Sequence, residues 1–174
     1  MAFDIDDFER TSTRVEIKDL ELERAFEEQP LDADSLRCLQ YMYDIESHTP
    51  CFLRDLLVTD AHRDPAVTTF LTLWNYEEHW HGESLGRVLA AHGRPAGKDR
   101  VSDVRGDMSF RDRLRPISFV LGSLVLPDMV AVHMAWGAIN EWSTQTAYGL
   151  LSRRAAHPVL SELLSRIMRQ EGRH

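Results

Sequence analysis

Four glutamates and two histidines in this chain have the residue types and the order of a two-metal ligand set. Two Glu-x-x-His pairs, Glu78/His81 and Glu171/His174, are each preceded about one helical hairpin upstream by a lone glutamate, Glu46 and Glu141. Residues three apart on a helix share a face, so each pair can offer a carboxylate and an imidazole to the same ion. With eight histidines in 174 residues, about 0.6 Glu-x-x-His pairs are expected by chance, so either pair alone says little. Two pairs in this order, each with its upstream glutamate, say much more.

Such residues can meet only if helices aim them inward. A carboxylate buried alone costs several kcal/mol, so it pairs, shifts its pKa or binds a metal. Apolar residues recur at three- and four-residue spacing through most of the chain and strand signals are nearly absent, which predicts an all-α fold. Leu71, Trp74, Glu78, His81, Leu85 and Val88 form one stripe, and Leu160, Leu164, Ile167, Glu171 and His174 another. Val130, Met134, Gly137, Glu141, Thr144 and Tyr148 repeat the pattern, as do Leu39, Met42 or Tyr43, Glu46, Pro50, Leu53 and Leu57.

Four long helices follow from these stripes. The first is expected from Asp32 or Asp34 to about Val58, with Pro50 as an internal kink. The second opens at Asp64-Pro65, a cap followed by proline at the first helical position, and ends at Gly93. Residues 94–115 read as loop, with Pro95, Gly97 and Gly106, and a short apolar segment from Ile117 to Leu126 completes a long crossover. The third helix starts at Pro127-Asp128 and runs to about Arg154; the fourth starts near His157-Pro158 and continues to the last residue. A further amphipathic helix is expected around Ile17 to Phe26. Two antiparallel hairpins joined by one long crossover make a ferritin-like four-helix bundle, in a single domain over residues 1–174.

In bundles of this kind one glutamate comes from each of two helices and a Glu-x-x-His from each of the others, all projecting inward. Glu78 and Glu171 are then expected to bridge two ions, with Glu46 and His81 completing one side and Glu141 and His174 the other. Carboxylate and imidazole ligands without thiolate suit iron first, with manganese also compatible. The oxidation of an unactivated C–H bond lies beyond protein side chains and belongs to such a cofactor.

Beyond the six ligands, Trp74-Asn75-Tyr76-Glu77-Glu78-His79-Trp80-His81-Gly82 resembles the W-x-x-E-E-x-x-H-G block of the soluble acyl-carrier-protein desaturases. Glu46 followed by Pro50 resembles that family's E-x-x-x-P, and Glu141-Trp142-Ser143-Thr144 its E-x-x-T. The resemblance covers residues 36–174. It implies a di-iron oxidase that uses dioxygen and a ferredoxin-type electron donor to desaturate a fatty acyl thioester on acyl carrier protein, working as a homodimer. It also implies that Thr144 assists oxygen activation. Two departures stand out. Gln170 takes the place of an aspartate that belongs to the family's histidine network, which puts the electron route in question. The chain stops at His174 where family members continue, so it reads as shortened at its C-terminus, with a frayed helix end holding His174 poorly.

Composition sets the bounds. Hydrophobic residues make up 43% and charged residues 28% of the chain, as in an ordinary globular domain large enough to bury a core. A net charge of −8 argues against a nucleic-acid or anionic-membrane surface, both of which reward basic faces. Cys38 and Cys51 would lie roughly 20 Å apart on a continuous helix, beyond disulfide reach, which fits a reducing cytoplasm. The acidic N-terminus lacks the features of a signal peptide, and no apolar run is long enough to span a bilayer.

Other candidates carry less. Trp74, Trp80, Trp136 and Trp142 read as core packing more readily than as an electron path, and His48 and His79 as surface or supporting residues. The seven basic residues between Arg94 and Arg115 are equally a carrier-docking patch or a solvated loop. The alternatives to a desaturase are a ferritin-like protein that oxidises and stores iron or scavenges peroxide, and a non-catalytic relative.

Overall fold

The computed structural model describes residues 3–126 and 128–174, and all regular elements among them are helical. In chain order they are α1 (Ile5–Thr11), α2 (Leu22–Glu28), α3 (Ala33–Glu46), α4 (Thr49–Leu57), α5 (Pro65–Ala91), α6 (Gly97–Gly106), α7 (Phe110–Val125), α8 (Met129–Ala155) and α9 (Pro158–Glu171). Short 3-10 turns occupy Lys18–Leu20 and Asp60–Arg63. None of these helices is long and apolar enough to cross a membrane.

The caps explain where the main helices begin. The Asp32 carboxylate accepts from the amides of Asp34 and Ser35, and Asp64 accepts from those of Ala66 and Val67 with Pro65 at the first helical position. Each cap satisfies donors that the first turn would otherwise leave open. The third long helix has Asp128 as its N-cap residue; Pro127, which the sequence reading included in its start, lies outside the described residues.

Several sequence-based boundaries need correction. The expected first helix is two helices, α3 and α4, broken at Ser47 and His48 directly after Glu46. Pro50 has no amide hydrogen to donate and constrains the residue before it, so it opens α4 rather than kinking a continuous rod. Residues 94–115 are not a loop, because Gly97 and Gly106 bound α6 and Phe110 begins α7. The glycines and proline punctuate helices there. The segment expected as one helix from Ile17 is a 3-10 turn and α2, separated by Glu21 in a left-handed conformation (φ 45°). The last helix ends at Glu171 rather than His174.

Four helices close a ring in which α3 packs on α5, α5 on α9, α9 on α8 and α8 on α3. Neighbours in this ring run antiparallel, as cross-helix contacts show. The Leu31 amide just before α3 donates to His92 just after α5, while Ser47 at the other end of α3 lies against Gly82. Arg154 pairs with Asp34, and Tyr148 reaches Glu46. Leu39, Leu85, Leu160, Leu164 and Ile167 fill the centre with no exposed surface, each contributing roughly 1.5–3 kcal/mol through burial. Gly86 leaves room for Tyr43 of α3 against α5: a Cβ there would sit 3.0 Å from the Tyr43 ring. That ring cannot easily retreat, because its hydroxyl donates to the Gly97 carbonyl at 3.2 Å and accepts from the Gly97 amide at 2.8 Å.

Candidate metal centre

The ring of helices brings all six sequence candidates together. Glu46 ends α3, Glu78 and His81 lie mid-way along α5, Glu141 lies on α8, and Glu171 ends α9 with His174 in the turn that follows. Ligand atoms of Glu46, Glu78, His81 and Glu171 lie within 4.8 Å of one another, and so do those of Glu78, Glu141, Glu171 and His174. Glu78 and Glu171 belong to both groups. His81 Nδ1 is 3.1 Å from Glu171 and 3.7 Å from Glu78, while His174 Nδ1 is 3.0 Å from Glu171 and 3.2 Å from Glu78. Both imidazoles therefore present the same nitrogen to the same two carboxylates.

Hydrogen bonding does not account for this concentration of buried polar atoms. Glu46 Oε2, Glu78 Oε1, His81 Nδ1 and Glu171 Oε1 are buried without a hydrogen-bond partner, although all four point into the cluster. An unsatisfied buried polar atom costs about 1–3 kcal/mol, and a cation held by the cluster would offset that cost for all four. The group has the chemistry of a metal site, with hard oxygen and imidazole donors and no thiolate.

Protonation tells the same story from the side of the residues. Burial disfavours the charged form of His81, yet the adjacent Glu171 and Glu78 outweigh it and push its pKa up to about 10. His174 is raised as well, against burial, by Glu171, Glu77 and Glu78. Burial and the negative charges of Glu171 and Glu78 push Glu141 up to about 9. Burial and the charge of Glu78 raise Glu46. Glu78 is held well below the usual carboxylate range despite burial, chiefly by Glu46, His174 and His81 beside it. Without a cation, protons supply the positive charge that the cluster needs.

The far side of each imidazole is anchored. Gln170 donates through Nε2 to the Thr13 carbonyl at 2.9 Å, which turns its Oε1 toward His81 Nε2 at 2.8 Å. The amide orientation thus makes His81 Nε2 the N–H donor and leaves Nδ1 for the cluster. His174 Nε2 donates to Glu77 Oε2 at 2.9 Å, and Glu77 Oε1 accepts from the Thr13 amide at 3.0 Å and from Arg173 at 2.7 Å. The His174 side chain is almost fully buried, and both of its nitrogens lie within 3.0 Å of a glutamate oxygen. Its side chain is held by α5 as well as by its own turn.

Sequence reasoning missed Glu77, Thr13, Arg173 and Tyr148 as parts of this site. Glu77 lies about 100° around the helix from Glu78 and reads as outward-facing, but it is fully buried by the segment after α1. Tyr148 hydrogen-bonds Glu46 and the Trp74 indole donates to Glu141 at 3.1 Å. Two tryptophans reverse their expected packing role: Trp136 and Trp142 are exposed on α8, whereas Trp74 is buried and Trp80 is partly so. His79 is exposed and His48 is half-buried.

Beside the cluster opens a mainly apolar cavity of about 360 Å³. Ile45, Phe52, Trp74 and Val104 supply its apolar wall, and Glu46, Glu78 and Glu141 its floor, with Thr144 alongside. The chain matches no family model, no curated protein and no solved structure.

Proposed function

We propose that this chain is a di-metal oxidase that acts on an apolar substrate held in the cavity beside Glu46, Glu78 and Glu141. The observation that carries the reading is the convergence of six buried Glu and His side chains in two overlapping groups, four of their atoms having no hydrogen-bond partner. Glu46 and His81 would hold one ion, Glu141 and His174 the other, with Glu78 and Glu171 shared. The antiparallel ring of α3, α5, α8 and α9, with α6 and α7 in the long connection, supports a ferritin-like four-helix bundle.

A pair of iron or manganese ions supplies, when bound, the redox chemistry with dioxygen that the side chains lack. The residues do the rest. Tyr148 and Trp74 fix the carboxylates of Glu46 and Glu141, and Gln170 and Glu77 orient the imidazoles. Ile45, Phe52 and Val104 give the cavity an apolar lining that would suit an alkyl chain. Thr144 lines the same cavity as Glu141, one helical turn along α8.

The sequence resemblance to acyl-carrier-protein desaturases points to a fatty acyl thioester on acyl carrier protein as substrate, a double bond as product and a ferredoxin-type protein as electron donor. Exposed apolar residues along α7 and α8, including Leu124, Val125, Val132, Trp136 and Trp142, support a homodimer.

Elemental analysis of iron-supplemented protein tests the centre. The expected result is close to two irons per chain, with both lost in Glu78→Ala or Glu171→Ala because each carboxylate serves both ions. Unchanged stoichiometry in these variants would refute the shared-ligand arrangement. Reduced, iron-loaded protein that consumes oxygen without modifying any acyl carrier substrate would refute the desaturase reading and leave the metal centre standing. Many irons per chain in a closed assembly would favour iron storage instead.

A further inference from the structure

We infer that the two halves of the centre are unequal, with the Glu141/His174 half binding its ion more tightly and first, and the Glu46/His81 half second. This rests on the metal reading proposed above and adds an order of filling and the residues that set it.

The asymmetry lies behind the imidazoles. His174 Nε2–H donates to a carboxylate, Glu77 Oε2 at 2.9 Å, whereas His81 Nε2–H donates to a neutral amide oxygen, Gln170 Oε1 at 2.8 Å. A charged acceptor makes a hydrogen bond roughly twice as strong as a neutral one and draws the shared proton toward itself. The ligating nitrogen across the ring becomes correspondingly more basic. Arg173 and the Thr13 amide both donate to Glu77 at Oε1, which leaves Oε2 to His174. Gln170 cannot acquire a charge, and its own NH2 group is committed to the Thr13 carbonyl.

The remaining ligands differ in burial, Glu46 being buried and Glu141 partly so, but not in the charge of what stands behind them. Glu78 and Glu171 are shared by both halves. Each unshared carboxylate accepts one hydrogen bond from an aromatic residue, Glu46 from Tyr148 and Glu141 from Trp74. The acceptor behind the imidazole is therefore the difference in charge between the two positions. Glu77 and Gln170 act as positioning residues, since neither touches the ion.

Anaerobic titration of the full chain with Co²⁺, followed by visible absorption and calorimetry, reads the order directly. The expected result is two binding steps separated by about 10- to 100-fold in affinity, the range over which outer hydrogen-bond partners act. The paramagnetically shifted imidazole N–H signals identify which histidine is ligated first, with His174 expected. Gln170→Glu should tighten the second step by about 10- to 100-fold and bring the two steps together. Glu77→Gln should weaken the first step by a similar factor and leave the second nearly unchanged. If Glu77→Gln does not fold by circular dichroism, Gln170→Glu decides alone. Two ions bound in one step of equal affinity, or His81 ligated first, overturns the inference while the metal centre stands. No Co²⁺ bound at all overturns both.

Discussion

Without metal, this protein should lose stability as pH rises through the mildly alkaline range. A histidine raised from 6.5 to about 10 contributes its full stabilisation below pH 6.5 and loses it as pH climbs toward 10. A glutamate raised from 4.5 to about 9 acts in the same direction, because the folded chain keeps a proton that the unfolded chain has released. Between these limits folding takes up two protons, at His81 and Glu141. The predicted slope is roughly 2–3 kcal/mol lost per pH unit near pH 8, from about 1.4 kcal/mol per proton. Between pH 7.5 and 9 the loss reaches roughly 3–4 kcal/mol, a large part of the roughly 5–15 kcal/mol that holds a domain together. His174 and Glu46 are raised too and add to the same trend. Glu78 and Glu171 are lowered, so their stabilisation is lost only as pH falls below about 4.5 and leaves this window untouched. Urea unfolding of metal-free protein at several pH values measures the slope, and Glu141→Gln should reduce it by about half. A flat profile from pH 7.5 to 9, or an unchanged slope in Glu141→Gln, would refute the protonation scheme. Metal affinity should rise over the same interval, since the ion displaces those protons.

Thr144→Val should leave metal content intact and alter the rate or product of oxygen-dependent oxidation; identical product and rate would reduce Thr144 to packing. Leu164→Ala, at a position with no exposed surface, should cost about 2–5 kcal/mol in denaturant unfolding, and a loss below 1 kcal/mol would show that the ring core collapses around the gap. In Gly86→Ala the new methyl meets the Tyr43 ring at 3.0 Å. Overpacking of about 1–3 kcal/mol should exceed the gain of roughly 1 kcal/mol in helix propensity, so a stabilised variant would mean that Tyr43 gives way.

The helices that carry the centre were legible because their stripes mix apolar residues with the ligands at one spacing, as Leu71, Trp74, Glu78 and His81 do. The break after Glu46 was less so, since Pro50 is compatible with either a kink or a new start. Residues 94–115 misled for a different reason: Gly97 and Gly106 look like loop composition, yet they stand at the ends of α6. Convergence of Glu46, Glu78, His81, Glu141, Glu171 and His174 followed from type and order. The supports behind them did not. Glu77 is hidden by a segment distant in the chain, and nothing local to α5 announces that cover. Trp136 and Trp142 lie on a helix whose ligand stripe is inward, but both side chains are more than half exposed.

Thr13 joins both anchors through its peptide groups: its N–H goes to Glu77 and its C=O to Gln170, 157 residues away. A role carried by the main chain is indifferent to the side chain attached to it, and almost any residue other than proline can perform it. Such a position is free to drift in evolution while its contribution stays constant. Inspection of aligned sequences would pass over it, and an alanine scan would report it as dispensable. Only a change that removes the amide hydrogen, such as Thr13→Pro, or one that shifts the register of the segment, would expose the dependence of two buried histidines on a connecting stretch near the start of the chain.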